Sequence, residues 1–99
     1  MVYVIFEVKK EQIGKVNEML RDDVVNRQSI LTRDASSIGI DKDIFYTKVE
    51  GSEEGIKQAE DLAKEFEFVK HSENDAKEVN EKIKKQEESA ADGMGMIFG

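Results

Sequence analysis

The chain has no cysteine and no proline, and a single histidine, in 99 residues. Without cysteine there is no disulfide framework, and one histidine cannot supply an ordinary zinc or copper site within one chain. No cofactor and no metal are therefore expected. The lack of proline, with only seven glycines, excludes collagen-like and proline-rich low-complexity classes. Long apolar runs are missing too. The longest, Val2 to Phe6, falls far short of the roughly 20 residues a membrane helix needs. No charged-then-apolar leader opens the sequence, so a cytoplasmic protein without a membrane segment is expected.

What remains is 38% hydrophobic and 37% charged, a balance that suits one small globular core. The net charge of −7 is uneven, with eight basic against nine acidic residues up to position 50 and seven against thirteen beyond it. An acidic second half opposes a phosphate-rich partner, so nucleic acid is not the expected ligand.

VYVIFEV, residues 2 to 8, alternates Val2, Val4, Phe6 and Val8 against Tyr3, Ile5 and Glu7, the period of a strand. Ile13, Val16, Met19, Leu20 and Val24 then form a helical stripe, predicting a helix over 11–26. SILTRDASSIGI is broken by Ser36, Ser37 and Gly39, and DIFYTKVE resumes strand composition. The two read as a hairpin turning near Gly39 to Asp43. Ser52 with Glu53 and Glu54 marks a helix start, and Ile56, Ala59, Leu62, Ala63 and Phe66 carry that helix to about Glu65. EFVK, residues 67–70, suggests a fourth strand. Ser72 caps a third helix over 74–91, whose apolar stripe of Ala76, Val79, Ile83 and Ala90 is thin. Such a helix is expected to bury little, and to lie on the surface, project, or pair with another copy.

The order strand, helix, strand, strand, helix, strand predicts an α+β, ferredoxin-like βαββαβ two-layer sandwich over residues 1–72. Residues 73–99 form a helical extension with an apolar tail. Two helices cover one sheet face, which leaves Tyr3 and Ile5 on the other beside either Ile44 and Tyr46 or Phe45 and Val49. An apolar patch of that size needs a cover. A second subunit, the tail residues Met94, Met96, Ile97 and Phe98, or stacked bases could supply it. Tyr3, Ile5, Tyr46, Met96, Ile97 and Phe98 are therefore the expected interface residues of a homo-oligomer.

The catalytic motifs are weak. Asp41 and Asp43 match the first two ligands of a calcium loop, but Phe45 stands where the third belongs. Asp22 and Asp23 diverge by about 100° on a helix, Ser36 and Ser37 read as turn residues, and GMGMIFG lacks a phosphate-cradling pattern. His71, between strand and helix, reads as a surface residue. No catalytic residue is assigned.

Residues 11–19, EQIGKVNEM, resemble the acid-x-x-Gly opening of ACT-type regulatory domains, with Glu11, Gly14, Val16 and Met19 on the matching positions. The resemblance extends over residues 2–71 and includes EGSEEGIKQAEDLAKEF, similar to the second helix of such domains. Ile13 stands where the family has proline, and Glu11 where it has aspartate. The resemblance implies an amino acid or similar small effector bound between paired subunits near Glu11 and Gly14. The expected function is thus a non-catalytic, homo-oligomeric ligand-binding or protein-interaction domain. The alternatives are a small enzyme whose site forms between subunits, and a single-stranded RNA-binding module.

Overall fold

The computed structural model describes residues 2–98, with side chains described over 2–87. Strands β1 (Val2–Lys9), β2 (Ser29–Asp34), β3 (Ile44–Gly51) and β4 (Val69–Lys70) form one antiparallel sheet in the order β2-β3-β1-β4. Helices α1 (Ile13–Met19), α2 (Glu53–Glu65) and α3 (Glu73–Phe98) complete an α+β fold compatible with a ferredoxin-like sandwich.

The period-two pattern of β1 sorts its side chains between two cores. Val4, Phe6 and Val8 join Val49 of β3 beneath Val16 and Met19 of α1 and Ile56, Ala59 and Ala63 of α2. Ile5 points the other way and joins Tyr46, with Ile44 and Leu31 packed around them. Pairing of Val4 with Val49 and of Glu7 with Tyr46 fixes this register, because directly opposed residues share a face.

That second face is not open. Ala76, Val79 and Ile83 of α3 pack on Ile5 and Tyr46, and Ala35 and Ile38 close one side. Helices thus stand on both faces of the sheet. The expectation that α3 buries little fails because the sheet brings the bulk. Ile5 and Tyr46 are large, so a stripe of small residues spaced three and four apart suffices to cover them. Farther along, Arg33 Nε donates to Gln86 Oε1 at 3.1 Å, and Gln86 Nε2 donates to the Ser37 carbonyl at 3.0 Å. Ile5 and Tyr46 are therefore interior residues, and Tyr3 is half-buried beside them. Subunit pairing through this face would have to displace α3. Met96, Ile97 and Phe98 lie outside the residues whose side chains are described.

Local chemistry resets three boundaries. The helix expected over 11–26 ends at Met19 because the Asp22 carboxylate accepts from the Val24 and Val25 amides at 2.9 and 3.1 Å, starting a separate turn. Val25, rather than Val24, then enters the core. After α2, Phe68 N–H donates to the Ala63 carbonyl at 2.8 Å and Glu67 N–H to that of Lys64 at 3.2 Å. This Schellman closure holds Glu67 at φ 63°, so the fourth strand begins two residues later than expected. Between β2 and β3, a 3₁₀ turn at Ala35–Ile38 closes on Gly39 at φ 81°. There Ser36 donates to Asp34 Oδ1 through both its N–H, at 3.0 Å, and its hydroxyl, at 2.9 Å, as turn serines do. Ser52 and Ser72 cap α2 and α3 through the Gly55 and Asp75 amides, at 3.1 and 3.3 Å.

Candidate functional site

The residue that follows β4 lies inside the fold. His71 N–H donates to the Ile5 carbonyl at 2.9 Å, which continues the β1–β4 ladder by one residue. His71 therefore shares the face of Ile5, and its side chain is only 10% exposed. Its ring meets Tyr46 edge-on, with centroids 5.4 Å apart and planes at 72°. Its Nε2 lies 3.3 Å from Glu7 Oε1, while Nδ1 is buried without a hydrogen-bond partner.

Glu7 meets both His71 and Lys42 at one oxygen. Lys42 Nζ, from the turn before β3, donates to the same Oε1 at 3.3 Å. That hydrogen bond and the charge behind it hold the Lys42 ammonium above its ordinary pKa. Burial pushes the Tyr46 phenol up, an effect that the nearby Lys42 charge partly opposes. At neutral pH Tyr46 is thus a neutral hydroxyl, able to donate or accept.

These groups line a cavity of about 570 Å³ between the sheet and the start of α3, which contributes Asp75, Glu78 and Lys82. A larger hollow, about 800 Å³, runs on along α3 past Ser37 and Ile38. It is bounded mainly by outward-pointing charged side chains of one helix and gathers no buried polar group, so the His71 cavity is the better candidate. Among the described residues no group of three or more His, Cys, Asp or Glu is placed to hold a metal ion. None of the helices there is long and apolar enough to cross a membrane.

The residues expected from the sequence lie elsewhere. Glu11 is exposed in the 3₁₀ turn Lys10–Gln12, and Gly14 is exposed in the first turn of α1. A Cβ at Gly14 would meet nothing within 4 Å, so this glycine serves neither close approach to a neighbour nor tight packing. Neither residue lines the cavities described above. His71, read as a surface residue, is the centre of the site instead. Two signals in the sequence point there: Glu7 interrupts the otherwise apolar Tyr3–Ile5 face, and Val69 and His71 share a period-two face just before the Ser72 cap.

No family model matches the chain, and no curated protein or solved structure gives a match either.

Proposed function

We propose that this chain is a ferredoxin-like βαββαβ domain with an added cover helix, and that it binds a small zwitterionic or neutral polar molecule in the His71 cavity, in the cytoplasm. One observation carries the reading. Three carboxylates (Glu7, Asp75, Glu78) and three ammonium groups (Lys42, Lys70, Lys82) meet around one cavity beside the nine-tenths-buried His71. A polyphosphate or a polyamine would meet as many like as opposite charges there. A ligand carrying one group of each sign finds a partner for both. The effector class implied by the ACT resemblance is thereby kept and moved from Glu11 and Gly14 to His71. No catalytic step is assigned, because the Glu7 oxygen is already shared by Lys42 and His71.

Calorimetry and thermal melting against the L-amino acids at millimolar concentration test it. At least one should release heat and raise the melting temperature, and His71→Ala and Lys42→Ala should each weaken it at least tenfold. Silence across the set, or undiminished binding in both variants, would overturn the proposal.

Subunit pairing has its own supporting observation. β2 lies at the edge of the sheet order, and its six residues Ser29–Asp34 pair on one side only, with β3. Two copies joined there would extend the sheet without disturbing α3. Sedimentation at rising concentration should show a dimer that Thr32→Pro abolishes, and a monomer throughout would remove this reading.

A further inference from the structure

Among the described residues, two buried side-chain atoms have no hydrogen-bond partner, His71 Nδ1 and Asn80 Oδ1. Both belong to the layer where α3 meets the sheet. His71 directly precedes the Ser72 cap, and Asn80 lies on the buried stripe between Val79 and Ile83. Leaving a buried acceptor unpaired costs free energy that the apolar contacts of the same interface must offset. The opposite face meets no such demand, being closed by eleven buried apolar residues. Among the described residues, α3 supplies Ala76, Val79 and Ile83 of the seven buried apolar residues on its side, whereas α1 and α2 together supply Val16, Met19, Ile56, Ala59 and Ala63 on the other. The two faces of the sheet are therefore covered with unequal strength.

We propose that α3 is a detachable wall of the His71 cavity: it lifts from the sheet as a unit about the His71–Ser72 link while β1, β3, α1 and α2 stay folded. Local opening of this kind is drawn from the least stable part of a fold. Its consequence follows from the lining. Asp75, Glu78 and Lys82 form one wall, and Glu7, Lys42 and Tyr46 belong to the other, so lifting α3 dismantles the cavity. A ligand that touches both walls holds the helix down, and firmer docking tightens the ligand by the gain in the closed fraction. The opening needs no ligand, whereas this coupling rests on the binding reading above.

Amide hydrogen exchange on the full chain separates the two. Amides of residues 76–87 should exchange at least tenfold faster than those in the middle of α2 and of the β1–β3 pair. Asn80→Leu, which replaces the unpaired amide by an apolar group, should slow exchange in α3 at least tenfold and leave α2 unchanged. Ile83→Ala should do the reverse, and it keeps the test decisive if Asn80→Leu misfolds. Exchange of α3 at the rate of β1 and β3, or variants that shift α2 and α3 together, would overturn the detachable wall. In the ligand arm, an amino acid that binds the parent chain should slow α3 exchange by a factor that grows with its concentration above Kd. A binder that leaves α3 exchange unchanged would overturn the coupling. If no amino acid binds while α3 still opens, the binding reading fails and the detachable wall stands.

Discussion

The Gln28 carboxamide fills the space in which Gly55 would carry a side chain, so that a Cβ built there overlaps the Gln28 side chain. The Gln28 carboxamide is held through both of its polar atoms. Its Nε2 donates to the Val24 carbonyl at 2.9 Å, and its Oε1 accepts from the Ser52 amide at 3.0 Å. Gly55 lies in the first turn of α2, where alanine would ordinarily favour the helix by about 1 kcal/mol. Overpacking should outweigh that gain, and Gly55→Ala is expected to destabilise the fold by about 1–3 kcal/mol in denaturant unfolding. Gln28→Ala should relieve most of the clash, making the double variant less unstable than the two single losses added together. A stabilising or neutral Gly55→Ala would show that Gln28 moves aside at no cost.

Glu67 offers the opposite prospect. It sits at φ 63°, the left-handed position of the Schellman closure, and its exposed side chain has no part in the cores described above. A non-glycine residue there carries a steric cost of about 1–2 kcal/mol, partly offset by the greater chain entropy glycine brings to the unfolded state. Glu67→Gly should therefore stabilise the protein by roughly 0.5–1 kcal/mol, readable as a higher melting temperature. Glu67→Val should destabilise it, because a β-branched residue is strained at positive φ.

The strands are legible because β1 alternates with a period of two and keeps the Val2, Val4, Phe6, Val8 face wholly apolar, and α2 because Ser52, two glutamates and a regular stripe all agree. The end of α1 was hidden by a conflict. The apolar spacing runs on through Val24, while the Asp22 side chain ends the helix by bonding two amides, an effect that no hydrophobic period records. The reach of the cover helix is hidden for a different reason. The stripe Ala76, Val79, Ile83 was visible, but whether it sufficed depended on how much bulk Ile5 and Tyr46 would bring from the sheet. The site was hidden most completely. Glu7, Lys42 and His71 lie far apart in the chain and meet only because β1 pairs with both β3 and β4. Gly14, the glycine of the ACT-like opening, faces open space.

Acid sensitivity should rest in part on Asp22, together with Asp34, whose carboxyl the Ser36 hydrogen bonds also hold low. Hydrogen bonds from the Val25 backbone and then the Gln58 amide hold the Asp22 carboxyl below the usual carboxylate value. A depressed folded-state pKa gives stability that is present above the unfolded value, about 3.9, and lost as pH falls through the folded one. Asp22→Asn should therefore lower stability at neutral pH and flatten the loss on going below about pH 4. Chemical denaturation at a series of acidic pH values reads this directly. An acid limb as steep in Asp22→Asn as in the parent would place the responsible group elsewhere.

Tyr46 makes the corresponding alkaline test, and it reports on the packing of α3 against the sheet. Burial raises its pKa, with Glu7, Asp75 and Glu78 adding to the shift and Lys42 opposing it. The folded state therefore holds the phenolic proton more tightly than the unfolded chain does. The associated stability is complete below the unfolded value of about 10 and disappears as pH rises through the folded one. In a Tyr3→Phe background Tyr46 is the only remaining tyrosine, so ultraviolet absorbance of the phenolate follows it alone. Its midpoint should lie above that of a free tyrosine. Ile83→Ala, which weakens the helix cover, should move the midpoint back toward the free value. Lys42→Ala should move it further up, because the opposing cation is gone. A midpoint at the free value in the Tyr3→Phe protein would mean that the phenol is already open to water and that α3 does not shield this face.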